Sequence, residues 1–175
     1  MKNRVVAITT VTIALLSGCV SQMPQTAEEF RKAVPGAFMS TVESLEVNRP
    51  FNDVAKTFQA KAPECLNVRV RATTYRTTSI QTTSTQVVVV RYKPTILVKG
   101  NKAELHVQQH FESGVQTVHQ EPSGGYYLMV VDAVPLGGSR TRLTFYRPSS
   151  GYDSMISAIK GWATGKNVGC PDLSK

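Results

Sequence analysis

The sequence lacks any run of about 20 apolar residues, the length that a helix needs to cross a bilayer. It also lacks the Gly-x-Ser-x-Gly elbow of many hydrolases, the glycine-rich phosphate loop and the dinucleotide fingerprint. No residue is therefore a candidate nucleophile or catalytic base. We expect a protein that is not an enzyme and that needs no cofactor.

The first nineteen residues show the order of features of a secretory signal peptide. Lys2 and Arg4 give a positive start, residues 5–16 are apolar apart from three threonines, and small residues lead into Cys19. A charged start, a short apolar core and a small-residue cleavage site are typical of a leader that is removed on export. The apolar stretch is too short for a membrane span.

The ending Leu16-Ser17-Gly18-Cys19 resembles the lipobox of bacterial lipoproteins. In that family the cysteine thiol receives a diacylglyceryl group, the leader is cut before it, and the new amino terminus is acylated. The resemblance implies a signal peptide at 1–18, a lipidated tether at 19–26 and a membrane as partner. Val20, where some lipoproteins have aspartate, resembles those sorted to the outer membrane of Gram-negative cells. The implied location is the periplasmic face of the outer membrane.

Acidic residues are scarce, with 12 Asp and Glu against 20 Lys and Arg and a formal net charge of +8. A basic chain raises nucleic acid as a partner. Export argues against that partner, because the anionic surfaces outside the cytoplasm are mostly lipid, lipopolysaccharide and cell-wall polymer. A modest positive charge also serves solubility alone.

Cysteines are few as well: the sequence has three. With Cys19 assigned to the lipid, Cys65 and Cys170 remain as an even pair in an oxidising compartment. Two free thiols and a two-ligand metal fragment are the alternatives, but neither cysteine has a neighbouring Cys or His at zinc spacing. The sequence therefore favours a disulfide.

Three segments carry helix signals. Thr26 and Glu29 form a capping-box pattern before a two-turn segment that is expected to stop at Pro35-Gly36. An apolar stripe over 51–62 follows Asn48, a candidate cap, and Pro63 is expected to end that helix. A third helix is predicted after a capping box at 150–153, with Gly165 at its C-terminal cap and an apolar side formed by Met155, Ile156, Ile159, Trp162 and Ala163.

Residues 66–145 read as strands, because apolar and polar residues alternate between turn dipeptides such as Gly100-Asn101. A further short strand is predicted at 43–47, and the threonine-rich stretch 73–85 is predicted to be a hairpin tip or mobile loop. The expected fold class is α+β. A single antiparallel sheet of five or six strands would have one face covered by the N- and C-terminal helices, all within one domain at 27–175.

His106 and His110 are spaced for a shared zinc ion on a helix. The alternation around them favours a strand, on which four residues span about 13 Å, too far for one metal ion. No metal site is therefore expected.

Two arginine pairs lie on polar strand faces, Arg69 with Arg71 and Arg140 with Arg142. If those strands are close, the four guanidinium groups would form an anion-binding surface. The alternative, which the sequence favours, is that exposed strand charges keep the sheet soluble and protect its edges.

The segments around Phe51, Cys65, Trp162 and Cys170 resemble small envelope lipoproteins that are largely uncharacterised. The expected function is therefore a lipid-anchored binding or scaffolding domain that faces the periplasm. Its partner would be an envelope protein or an anionic lipid or glycan. An envelope hydrolase or transferase with an unrecognised site, and a carrier of a small hydrophobic ligand, are the alternatives.

Overall fold

The computed structural model describes residues 23–77, 83–113 and 121–173. Within them the chain forms three α-helices, one 3-10 turn and six strands. Their order is α1 (Ala27–Ala33), the 3-10 turn (Val34–Gly36), β1 (Ser40–Val47), α2 (Phe51–Leu66), β2 (Arg69–Thr77), β3 (Thr83–Lys99), β4 (Lys102–Ser113), β5 (Tyr126–Pro135), β6 (Thr141–Pro148) and α3 (Asp153–Ala163).

The six strands make one antiparallel sheet in the order β1-β6-β5-β4-β3-β2. Strands β2 to β6 follow one another as a meander, and β1 returns to the far edge beside β6. The tight turn predicted at Gly100-Asn101 joins β3 to β4, whose last pair is Lys99 with Lys102. The expected α+β class with a single antiparallel sheet is confirmed.

Helices α2 and α3 pack side by side on one face of the sheet, which we call the core face. The apolar stripe of α2 and that of α3 meet buried side chains of the central strands. Phe58, Phe145 and Trp162 are essentially inaccessible to solvent. This close-packed layer supplies most of the apolar burial that holds the fold together.

The opposite face of the sheet, here the outer face, is also partly covered. Val130 and Val131 are neighbours on β5 and therefore point to opposite faces, yet both are fully buried. Val131 belongs to the core face, whereas Val130 packs with Phe30 and Val34 from α1 and the 3-10 turn. The expectation that the sheet needs a cover on one face only was wrong, because β5 is apolar on both faces.

The helix ends differ from their predicted caps. Asn48 does not cap α2; Pro50 takes the N-cap position, and its carbonyl accepts from the N–H groups of Asp53 and Val54. Tyr152 takes the N-cap position of α3 in a left-handed conformation. At the other end of α3 the prediction holds, because Gly165 adopts a φ of +78° and follows the last turn as a C-terminal cap.

One proline lies inside a helix that was expected to end at it, and another lies inside a strand. Helix α2 continues past Pro63 because Cys65 and Leu66 in its last turn are buried in the core. Strand β3 runs unbroken through Pro94. Tyr92 bonds toward the β2 side, so by alternation Pro94 faces that side too, beyond the start of β2 at Arg69, where a missing N–H costs no ladder bond.

No helix in the described ranges has both the length and the apolar character required to cross a bilayer. The leader at 1–18, the lipidation residue Cys19 and the first part of the tether lie outside the described residues, as do positions 78–82 of the threonine-rich stretch. The flanking parts of that stretch belong to β2 and β3.

Candidate functional site

The outer face divides into a covered half and an uncovered half. Helix α1 lies over β5, while the part formed by β2 and β3 carries exposed polar side chains. A binding surface requires accessible groups, and the uncovered half provides them.

Partly buried charges hold α1 on its half of the outer face. The Arg31 guanidinium bonds to Asp132 at 2.7 Å and also to Glu104, and Lys102 bridges the same two carboxylates. His106 contacts Glu104 at 2.8 Å. Burial alone would raise the pKa of Glu104, but hydrogen bonds from Lys102, Arg31 and His106 lower it to about 2. These charges neutralise one another, so this cluster serves to attach the helix.

Four cations lie on the uncovered half, and we call them the basic face: Arg69, Arg71, Arg91 and Lys93. Arg69 and Arg91 are register partners on β2 and β3, and alternation puts Arg71 and Lys93 on the same side. All four are exposed. The basic face therefore joins cations from two neighbouring strands.

One carboxylate, Glu112 on β4, contacts the basic face. It accepts from Arg69 and from Arg91, the latter at 2.7 Å, and these hydrogen bonds lower the pKa of Glu112. Within the described part of the chain, neither Arg71 nor Lys93 has an ion-pair partner. The basic face thus keeps an excess of positive charge at neutral pH.

A surface cleft of about 430 Å³ adjoins the basic face. Arg91 and Lys93 form one side, His110 and Glu121 another, and the segment before β5 closes the end through Pro122, Gly124 and Gly125. His110 bonds through Nδ1 to Glu121. The cleft is thus lined by two cations and by a histidine that already has a carboxylate partner.

The wall of this cleft is rigid for a steric reason. Gln108 is buried and donates from Nε2 to the carbonyls of Ser123 and Gly125, at 3.1 and 2.8 Å. Gly125 has a φ of +106°, and a Cβ there would lie 2.4 Å from the carbonyl oxygen of Gln109. Only glycine allows the segment to approach β4 so closely.

The structure does not bring the four predicted arginines together. Strands β2 and β6 are four positions apart in the sheet, so about 19 Å separates them at 4.8 Å per strand. Arg140 and Arg142 pair with Glu46 on β1, at the opposite side of the molecule from Arg69 and Arg71. Arg140 and Arg142 are therefore too far away to form one anion-binding surface with Arg69 and Arg71.

Sequence reasoning missed Arg91 and Lys93. In the structure these two residues, and not Arg140 and Arg142, lie beside Arg69 and Arg71. The alternation Arg91-Tyr92-Lys93 was a usable signal, because Tyr92 is buried and its neighbours must then face outward. Placing that strand beside β2 required the hairpin between them, whose threonine-rich tip gave no register from the sequence.

The two histidines lie on β4, as the alternation predicted, and each has its own carboxylate. Among the described residues, the metal-ligand types that come close together are Glu64, Cys65 and Cys170. Cys65 and Cys170 are joined in a disulfide with a Cα–Cα distance of 4.8 Å, the pairing that the sequence favoured. Their sulfur atoms are therefore not available as thiolate ligands.

A second cleft of about 560 Å³ lies at the start of α3, between Tyr92, Tyr152 and Ser154. Burial raises the pKa of Tyr92 to about 12, with a contribution from Tyr152, and burial also raises the pKa of Tyr152. The Ser154 hydroxyl donates to the carbonyl of Asp172. Both phenols therefore stay protonated at neutral pH, and the side chains of Asp153 and Asp172 also line this cleft.

No family model and no curated protein matches the chain. Among solved structures, the chain is similar to a crystal structure of the hypothetical protein jhp0584 from Helicobacter pylori. The two share 13% sequence identity, the alignment covers 77% of this chain and 90% of that one, and the TM-score is 0.39.

Proposed function

We propose that this chain is a lipid-anchored binding domain of the bacterial cell envelope, held by a lipid on Cys19 and facing the periplasm from the outer membrane. Its basic face would bind an anionic group of an envelope partner. The observation that carries the binding role is the excess of exposed positive charge on the basic face. Among the described residues, Glu112 is its one carboxylate partner, and it pairs with Arg69 and Arg91 only.

Support for the anchor comes from the order of features in residues 1–19 and from the position of α1. The helix begins at Ala27, a few residues after Cys19. The eight-residue tether spans at most about 29 Å, so it would keep the domain close to the bilayer. Two or more acyl chains give firm attachment, whereas a single chain is marginal.

Support for an anionic partner comes from the geometry of the cations. Arginine binds phosphate and carboxylate through two parallel hydrogen bonds, and lysine adds a mobile point charge. Arg91 and Lys93 of β3 also line the cleft, so one anionic group at its mouth would contact both of these side chains. The partner is therefore identified by its exposed phosphate or carboxylate groups.

The carrier alternative receives less support. A hydrophobic ligand would need an apolar space between the helices and the sheet, and bulky side chains such as Trp162, Phe58 and Phe145 occupy that layer. The enzyme alternative would need convergent acidic or basic groups, and in the described ranges each histidine is already held by one carboxylate.

The anchor is tested by mass spectrometry of the protein purified from its native membrane. We expect a chain that begins at residue 19 and carries acyl groups, and we expect Cys19→Ser to release the domain from membranes. An unmodified residue 19, or an intact leader, would overturn the anchoring part of the proposal.

The basic face is tested by elution from immobilised heparin, used as an anionic glycan probe. The double variant Arg91→Gln/Lys93→Gln is expected to elute at clearly lower salt than the unaltered protein. The control Arg140→Gln/Arg142→Gln removes the same charge from the Glu46 side and is expected to shift less. Equal shifts would mean that net charge alone causes retention, and the basic face would then be no specific site.

A further inference from the structure

The turn between α1 and β1 projects large apolar side chains into solvent. Phe38 is 93% exposed and Met39 is 57% exposed. A phenylalanine left in water forgoes the favourable free energy that burial of its ring would give. Such a side chain at the tip of a turn suggests a surface that is covered in the working protein.

The surrounding segment carries no charge. From residue 33 to residue 42, between Lys32 and Glu43, the sequence contains only apolar, small and hydroxyl side chains. Five consecutive residues of this segment, 35–39, are all exposed. An uncharged and exposed tip of this kind can enter an apolar medium without burying an ion.

Backbone polar groups of the tip are hydrogen-bonded within the protein, which favours an apolar medium around the tip. The N–H of Ala37 donates to the carbonyl of Val34, and the Ser40 hydroxyl donates to the carbonyl of Ala37 at 2.7 Å. The N–H of Ser149 donates to the carbonyl of Met39 at 2.9 Å. Because these polar groups already have partners, placing the tip at an apolar boundary leaves fewer hydrogen bonds unmade.

Met39 also has a φ of +57°, a left-handed conformation that non-glycine residues seldom adopt. The bond from Ser149 and the start of β1 hold that conformation. The structure thus keeps residue 39 in an unfavourable backbone state while its side chain remains exposed. Such states persist where the surrounding fold requires them, and they concentrate at functional sites.

The tip lies within reach of the membrane anchor. One short helix and the 3-10 turn separate Thr26 from Phe38, so their Cα atoms are at most about 25 Å apart. The tether from Cys19 to Thr26 has a similar reach. A surface held this close to a bilayer meets it at high effective concentration.

We propose that the tip formed by residues 35–39 docks into the interface of the bilayer that holds the Cys19 lipid, with Phe38 and Met39 as the inserted side chains. This inference rests on the proposed lipid anchor. Docking would fix the orientation of the domain, so that the end of the sheet beside the start of β1 faces the bilayer. The basic face, on β2 and β3, lies toward the opposite edge of the sheet from β1.

The experiment uses the full lipidated protein in vesicles that contain bromine-labelled phospholipid, a quencher of tryptophan emission. Phe38→Trp places a reporter at the tip. The natural Trp162 is about 1% exposed and provides the same background in every variant. We expect a blue shift of the emission from position 38 on vesicle binding and a loss of intensity with the brominated lipid.

Leu97→Trp is the matched control. Leu97 is a large apolar side chain on β3, 42% exposed and four strands away from β1. We expect no bromine-dependent loss beyond the Trp162 background. Equal emission changes at positions 38 and 97, or no change at position 38, would overturn the docking.

Two outcomes separate this inference from the anchor itself. If mass spectrometry shows an unmodified Cys19, the proposed anchor fails. If Cys19 is lipidated and the tryptophan at position 38 remains in water, the anchor stands and the docking is wrong. Shielding of position 38 that grows with protein concentration and ignores brominated lipid would instead indicate a second copy of the chain, and would also overturn the docking.

Discussion

At the scale of single residues, one position is restricted by steric contact and another by electrostatic interactions. Gly125 allows the segment before β5 to touch the backbone of β4, and Glu104 gathers three donors on the outer face. Neither restriction was visible in the sequence. A Gly-Gly pair indicates a turn, but it does not say which backbone lies against it.

We expect Gly125→Ala to destabilise the fold by about 2–4 kcal/mol, because its Cβ would meet a backbone carbonyl that cannot move aside. The matched control is Gly138→Ala, where φ is also positive, +59°, but no atom lies within 4 Å of the added carbon. That change is expected to cost about 1 kcal/mol. Urea unfolding measures both; equal costs would contradict the close approach at Gly125.

Because of Glu104, we expect the free energy of unfolding to decrease at acidic pH. Its folded-state pKa of about 2 lies below the ordinary value of 4.5, so its contribution is complete above pH 4.5 and is lost as the pH falls toward 2. The loss is on the order of 1 kcal/mol, because partial exposure screens the charges. Comparing unfolding free energies of the unaltered protein and Glu104→Gln between pH 6 and pH 2 isolates it; parallel pH profiles would exclude this role.

At the scale of elements, α1 is attached to the sheet by a small apolar contact and by the Arg31 ion pairs. A seven-residue helix is too short to be stable alone, so these contacts decide whether it forms. The capping box at Thr26 and Glu29 correctly placed its start, since the Thr26 hydroxyl accepts from the Glu29 N–H. Its docking on the outer face depended on Val130 and Asp132, which are about a hundred residues away in the sequence.

Removing the Arg31 charge is expected to loosen α1 selectively. Arg31→Met leaves Glu104 and Asp132 without their guanidinium partner and should cost about 1–2 kcal/mol, with faster amide exchange in Ala27–Ala33 than in α2. Lys32→Met removes the same charge from a pair with Glu28 that is 74% exposed on both sides, and should change little. Hydrogen exchange read by mass spectrometry decides; similar effects of both variants would refute the attachment.

At the scale of the whole molecule, the disulfide links the last turn of α2 to the chain that follows α3 across 105 residues of sequence. It joins the two helices that cover the core face to one another. A closure of that length restricts the unfolded chain, with an entropic limit of about 4–5 kcal/mol. The disulfide therefore stabilises the domain as a whole and not one element of it.

We expect Cys170→Ala to lower the free energy of unfolding by about 2–4 kcal/mol, and reductant to lower the melting temperature of the unaltered protein. Cys170 is exposed and Cys65 is buried, so changing Cys170 removes the bridge while leaving the core packing intact. Melting scans with and without reductant provide the measurement, and reductant should have no effect on the variant. Identical melting temperatures for the unaltered protein in the two conditions would contradict a stabilising bridge.

The sequence by itself determined the local pattern: strands where apolar and polar residues alternate, turns at Gly100-Asn101, an apolar stripe on α2, and the cysteine parity that pairs Cys65 with Cys170. These features depend on residues close together in the chain or on simple counting. Only the tertiary structure decided which charges share a surface. Strand order separates Arg69 from Arg140 and puts Arg91 beside Arg69, because pairing in a sheet joins distant parts of the chain through backbone bonds that carry no side-chain signal.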